Sequence, residues 1–356
     1  MKAIYQAETC KLGMNENFPD PVKDGKRPIM KVEYCGICGS DVHSWEKEGD
    51  QLIKGLVLGH EFAGKIVDPG DRADLKVGDR VTCVPITPCG ECEWCKSGRT
   101  FMCGHNLYSP GIFFPDKPGA LAEYFQPLKS EYIKKVPDNV PLDVAAMVEP
   151  AGIGLRGCQA IDVGPGDKVL VAGGGIIGSM CANWAKALGA DYVAMTELNP
   201  ARAKMALEMG VVDDVFDPTE EGVEEKINPK IDGGYRAGGG FTKFIDCTGV
   251  AAAINFGMNL TKKAGKVSLV GVNWKPVPLM TIVALLHQLT LVGIMSSPTD
   301  NFDIILKAVS EGKFNLAQYK TKEINFDLGE IQAAYEELHD PKNEQLKIMV
   351  KVGEGE

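Results

Sequence analysis

Four cysteines stand in the pattern Cys89-x2-Cys92-x2-Cys95-x7-Cys103, a spacing that lets successive sulfurs turn inward on one ion. Four thiolates close a tetrahedron and leave no place for water, so a zinc held there stabilises a loop and does not catalyse. The residues between the cysteines are mostly polar and would not bury four bare thiols. The lobe 91–96 also lacks the basic stripe of a zinc ribbon that reads nucleic acid. A second set offers mixed donors: Cys38, then His60 and Glu61 after Gly59, and Glu149 before Pro150. Thiolate, imidazole and carboxylate together make an open zinc site that keeps a position for substrate. Each residue is a weak signal alone, and spacing cannot bring positions 38, 60 and 149 together.

A third pattern binds phosphate. Gly173-Gly174-Gly175-Ile176-Ile177-Gly178 follows the apolar run Lys168–Ala172 and opens a helical stretch, the context a G-x-G-x-x-G turn requires. Gly173 makes the tight turn, Gly175 lets a pyrophosphate approach the backbone, and Gly178 lets helix pack on strand. The helix N-terminus at Ile176 and Ile177 supplies amides and a dipole to the phosphates. Glu197, at the end of the next strand, accepts hydrogen bonds from ribose hydroxyls and repels a 2′-phosphate, so NAD is expected over NADP. Arg202 is the counterweight, a cation that such a phosphate could meet. Cys247 and Val270 end later strands, where a doubly wound sheet meets its dinucleotide.

The elements that must position these residues fall into two textures. The first third is dense in Gly and Pro, with short β-rich runs at 29–34, 64–67 and 80–84, and reads as a β-rich barrel-like unit with long loops. From about Pro150 strands alternate with helices: strands at 168–172, 192–196, 243–246, 266–270 and 289–294, helices at 176–188 and 200–209. That alternation predicts a doubly wound parallel sheet, hence an α/β protein. Near Ser296 the chain leaves this unit. A helix at 328–338 and a strand at 346–352 then return it to the first, giving domains 1–155 plus 297–356 and 156–296. Gly233–Gly240 reads as a flexible surface loop.

With 356 residues, 44% of them hydrophobic, the chain can build two cores. A net charge of −10 argues against nucleic-acid or anionic-membrane partners. No apolar run is long enough to span a membrane, and no signal peptide is visible, so a soluble, cytoplasmic protein is expected. Disulfides are therefore not expected among the eleven cysteines. Cys10, Cys35, Cys83, Cys158, Cys181 and Cys247 read as scattered buried thiols.

The motifs Gly36-Ile37-Cys38-Gly39-Ser40-Asp41-Val42-His43, Gly59-His60-Glu61, the four-cysteine lobe, Glu149-Pro150 and the glycine turn cover essentially the whole chain. Together they resemble the zinc-containing medium-chain dehydrogenase/reductase family, in its polyol (sorbitol dehydrogenase-like) branch. The resemblance implies a GroES-like β-rich catalytic domain and a Rossmann domain for NAD. It implies two zincs per chain: a structural one on Cys89, Cys92, Cys95 and Cys103, and a catalytic one on Cys38, His60 and a carboxylate. In this branch Glu61 can bind directly, with Glu149 binding directly or through water; both glutamates are kept. The implied chemistry is zinc acidifying a bound alcohol, which then passes hydride to nicotinamide. Ser40 and His43 stand where relatives relay the alcohol proton to solvent, and Asp41 where a carboxylate orients a zinc ligand.

Phe113 and Phe114 are similar to an aromatic loop that lines the polyol pocket. Three departures shift the substrate away from sorbitol: Ser44 replaces an aromatic residue, 293–297 lacks an Arg-Tyr pair, and Arg156 replaces a common His. The expected reaction is the NAD-dependent interconversion of a secondary alcohol, in a polyol, sugar alcohol or vicinal diol, with its ketone. L-threonine 3-dehydrogenase, butanediol dehydrogenase and sugar-alcohol-phosphate dehydrogenase are alternatives within the class, and a non-catalytic zinc-binding structural module is the alternative outside it. The family is mostly dimeric or tetrameric, so a homo-oligomer is expected.

Overall fold

In the computed structural model, residues 1–104, 111, 117–234 and 237–355 are described. Contacts divide the chain into two units, Met1–Glu149 with Pro298–Glu356, and Pro150–Ser297. The division falls inside the helix Val148–Gln159, so Glu149 belongs to the first unit and the rest of the helix to the second.

The first unit is built on a seven-stranded sheet. Its centre is the strand Ile29–Gly36, whose residues alternate between two covered faces and are nearly all buried. It pairs antiparallel with Glu61–Asp68 on one side and Lys347–Lys351 on the other. The register sets Gly36 opposite both Glu61 and Met349. The strand Lys347–Lys351 thus lies beside Ile29–Gly36, which ends two residues before Cys38. Lys320–Asn325 and Lys347–Lys351 form the one parallel pair among the described strands of this sheet, joined by the helix Leu328–His339 that Asp327 caps at Gly329 and Glu330. The apolar face closes around Val32, Leu58, Phe62, Trp45 and Tyr335, all buried. Each such large side chain contributes about 1.5–3 kcal/mol by leaving water.

The second unit is a six-stranded parallel sheet. From one edge to the other its strands are Asp214–Phe216, Tyr192–Thr196, Lys168–Ala172, Phe241–Asp246, Thr261–Leu269 and Thr290–Gly293. The first expected strands appear with the bounds read from the sequence, because each is a continuous apolar run bracketed by turn residues. Asn199 caps the helix Pro200–Glu208, and Pro200 takes the first helical position, where its missing N–H costs nothing.

Cys10 departs from expectation: it is exposed, not buried. It sits at the tip of the hairpin joining Ala3–Glu8 to Lys11–Asn15 with φ at 55°, and that turn faces its side chain outward. Among the described residues no helix is long and apolar enough to cross a membrane.

Candidate active site

The four-cysteine lobe hangs from a polar frame. Lys129 Nζ donates to the carbonyls of Pro88 and Cys89 at 3.1 and 3.2 Å, and Arg99 lies 4.6 Å over the Trp94 ring. Short helical turns at Glu93–Lys96 and Thr100–Met102 fold the four sulfurs inward, with Cys103 fully buried. Cys89 and Cys95 place their sulfurs 3.8 Å apart, Cys92 and Cys95 3.5 Å. A zinc with Zn–S bonds of about 2.3 Å has tetrahedral edges of about 3.8 Å, so these donors fit it. Backbone N–H groups of Glu91 and Cys92 point at Cys89 Sγ at 3.4 and 3.3 Å, which holds that thiol below its ordinary pKa. Such bonds favour the thiolate a metal needs.

The mixed-donor cluster is assembled from three separate elements. Cys38 caps the helix Gly39–Trp45, His60 follows Gly59, and Glu61 begins the strand paired with Gly36. Their donor atoms lie within 4.8 Å of one another, with His60 and Glu61 buried. Gly59 is required there: its φ is +94°, and a Cβ would stand 2.7 Å from Cys35 Sγ. Asp41 serves two members at once. Its Oδ2 accepts from the Cys38 backbone at 3.0 Å, and its Oδ1 faces His60 Nδ1 at 3.4 Å. That leaves His60 Nε2 directed at the cluster, 3.5 Å from Ser40 Oγ. Burial opposes charge on His60, but the neighbouring Asp41 and Cys38 groups outweigh it and push the imidazole well above its usual range.

Glu149, in the first turn of Val148–Gln159, stands outside the close-packed set. Burial pushes its carboxyl up to about 7, with His60 pulling it down and Glu61 pushing it up, so it still feels the cluster. His43 is half exposed and bonds Glu46 at 2.9 Å through Nδ1. Among the described residues no direct bond joins Ser40 to His43. Phe113 and Phe114 lie outside the described residues.

Sequence reasoning missed Lys347. Its Nζ donates to Glu61 Oε2 at 2.5 Å and to the Ile37 carbonyl at 2.9 Å, with both charged side chains essentially fully buried. The signal was a lysine inside the apolar stretch Leu346–Val350.

In the second unit the glycine turn has the geometry its motif demands. Gly173 adopts φ +95° and donates to Thr196 O at 2.8 Å, and a Cβ on Gly178 would meet Gly173 O at 1.8 Å. Gly175 caps the helix Ile176–Ala187, and open space surrounds the position its Cβ would take. Glu197 reaches this turn: its carboxylate accepts from Gly174 N at 2.5 Å and Asn199 N at 2.7 Å. Arg202 lies in the first turn of the neighbouring helix. Cys247 and Val270 each follow a central strand, donating to Ala172 O at 2.9 Å and Asp246 O at 2.8 Å. Asp246, also missed, is buried and braces the loop by accepting from Thr248 and Gly249. These residues gather at the carboxyl ends of the strands, where a doubly wound sheet binds its nucleotide.

Residues 26–138 match the alcohol dehydrogenase GroES-like domain, and residues 177–311 match the zinc-binding dehydrogenase domain. The chain is 37% identical to sorbitol dehydrogenase of Ovis aries, over 77% of this chain and 75% of that one. It is 33% identical to sorbitol dehydrogenase of Bombyx mori, over 86% and 87%. The chain belongs to the zinc-containing medium-chain dehydrogenase/reductase family. It sits in the sorbitol dehydrogenase-like branch, and it is an oxidoreductase. Its dehydrogenase fold is shared nearly end to end with 2R,3R-butanediol dehydrogenase from Bacillus subtilis: TM-score 0.85 over 99% of both chains at 27% identity.

Proposed function

We propose that this dehydrogenase holds two zinc ions per chain, uses NAD, and interconverts a secondary alcohol of a polyol, sugar alcohol or vicinal diol with its ketone. The carrying observation is the mixed-donor cluster of a partly buried Cys38 with the buried His60 and Glu61, whose carboxylate stands where a closed structural site would have a further thiolate. When bound, zinc would supply Lewis acidity toward an alcohol oxygen, and NAD a hydride acceptor. The remaining work falls to the chain. Asp41 Oδ1 faces His60 Nδ1 at 3.4 Å, which leaves Nε2 available. Ser40 Oγ, beside that nitrogen, is placed to take the alcohol proton and pass its own outward, with His43 and Glu46 at the solvent end. Glu197, held at the turn by two amides, would accept the ribose hydroxyls and repel a 2′-phosphate.

The relatives' names support the substrate class: sorbitol for the mammalian and insect proteins, a vicinal diol for the bacterial one. A homo-oligomer is supported by the edge strand Thr290–Gly293 and the exposed Trp274, Leu285, Leu286 and Met295, an apolar surface that a second copy would cover. A reducing cytoplasm is supported by eleven free cysteines, among them the metal-fitting thiols.

The test is an NADH-formation screen over polyols, diols, hydroxy-amino acids and phosphorylated sugar alcohols, with zinc counted per chain. Two zincs and turnover of a polyol or diol are expected. One zinc with undiminished turnover would overturn the reading.

A further inference from the structure

Lys347 sits at the end of a strand that does not touch Glu61–Asp68; the strand Ile29–Gly36 lies between them. Its side chain crosses that strand at one point, Gly36. A Cβ there would stand 2.5 Å from Glu61 Oε2 and 3.3 Å from Lys347 Cδ, so only glycine leaves room for the crossing. The ammonium then takes Glu61 Oε2 and the Ile37 carbonyl. Glu61 Oε1 is left buried with no hydrogen-bond partner. An orphaned carboxylate oxygen at full burial is unfavourable unless something positive meets it. Cys38 and His60 present their donor atoms to the same space.

The geometry points to Lys347 as a positioning residue: by holding Oε2 across Gly36 it presents Glu61 through Oε1 alone to a divalent metal at Cys38 and His60. This rests on the proposed catalytic zinc site. Lys347 also supplies the countercharge that Cys38, Asp41 and Glu61 need in one buried pocket. With a divalent cation bound, three anions face three positive charges. Without Lys347 the pocket keeps a net negative charge, and Glu61 is free to swing or to bind through both oxygens. The placement further favours Glu61 over Glu149 as the carboxylate ligand.

The test uses the full chain loaded with cobalt in place of zinc, whose visible bands report ligand number and geometry at the mixed-donor site. Wild type, Lys347→Met, Lys347→Arg, Glu61→Gln and Glu149→Gln are compared for metal per chain, metal loss to a chelator and cobalt spectrum. Lys347→Met is expected to lose the Cys38-site metal at least ~10-fold faster, with a changed spectrum, as for other residues that orient a ligand. Lys347→Arg should recover most of both, and the cysteine-lobe metal should stay in all five. Should Lys347→Met fail to fold, Lys347→Gln, which keeps a donor to Oε2 but no charge, is read in the same way with a smaller effect. Unchanged metal retention and spectrum in the Lys347 variants would overturn the positioning role while leaving the zinc site standing. So would a spectrum that responds to Glu149→Gln and not to Glu61→Gln. A wild-type chain that binds only the lobe metal would instead overturn the site itself.

Discussion

In the cysteine lobe all four donors are alike and lie on one short stretch of chain, whereas Cys38, His60 and Glu61 come from a helix cap, a loop and a strand. Three of the lobe's sulfurs are partly exposed, so water screens their charge. In the mixed cluster Cys38 is partly exposed, but His60 and Glu61 are buried, with the buried Lys347 as cation beside Glu61 and the carboxylate of Asp41 beside His60. A local site can be specified by spacing; a distributed one needs a fold around it. The same contrast separates their proposed uses, since four thiolates would leave a metal no free position and three mixed donors would leave one.

The sharpest break between the two is Cys38→Ser. Turnover should fall by at least about 10³-fold, roughly 4 kcal/mol of barrier, because the metal that polarises the alcohol is lost or loosened. The lobe should keep its ion, and thermal stability should change little. NADH formation with metal counting checks both, and loss of both ions together would mean the two sites are not independent.

The reverse experiment is Cys103→Ser, at the buried corner of the lobe. Here the ion that ties down the loop should go. Stability is expected to drop by about 3 kcal/mol, roughly 6–12 °C in melting temperature, while turnover per remaining zinc stays within a few-fold. Calorimetry beside the activity assay reads it. A fall in turnover as large as that of Cys38→Ser would erase the distinction between a structural and a catalytic site.

How far each region was legible follows the same division. The lobe could be read from spacing, and so could the strands Lys168–Ala172 and Tyr192–Thr196, whose apolar runs are bounded by turn residues. The strand Thr261–Leu269 begins earlier than its sequence suggests, because Lys262-Lys263-Ala264-Gly265 looks like a turn. It is instead strand with Ala264 at φ +59° and an irregular register. Cys38, His60 and Glu61 were individually visible but could be joined only through resemblance. Lys347 carried only the weak signal of a lysine in an apolar run, which passes for a solvated edge charge until the sheet order puts it across Gly36 from Glu61.

The nucleotide turn gives a smaller effect. Glu197→Gln keeps an acceptor for Gly174 or Asn199 but removes the charge. NADH affinity should weaken by about 10-fold, the value of one charge-assisted bond, and NADPH should lose less or gain. The NADH to NADPH ratio of dissociation constants, measured by fluorescence titration, decides it. An unmoved ratio would mean that Glu197 only braces the turn.

The smallest effect belongs to His43, and its size separates the buried from the exposed part of the proposed relay. Ser40 is partly buried beside a fully covered imidazole, so Ser40→Ala should cost a large factor, of the order of 10². His43 is half exposed and tied to Glu46, where solvent can accept the same proton. His43→Gln should therefore lower turnover only about 2- to 5-fold. The deficit should be greatest in weakly buffered solution and should shrink as a small diffusible base such as imidazole is added. Measuring turnover against buffer concentration at fixed pH and ionic strength tests this directly. A deficit that added base cannot relieve would place His43 in the structure of the helix Gly39–Trp45, whose last turn it occupies, and not in the path of the proton.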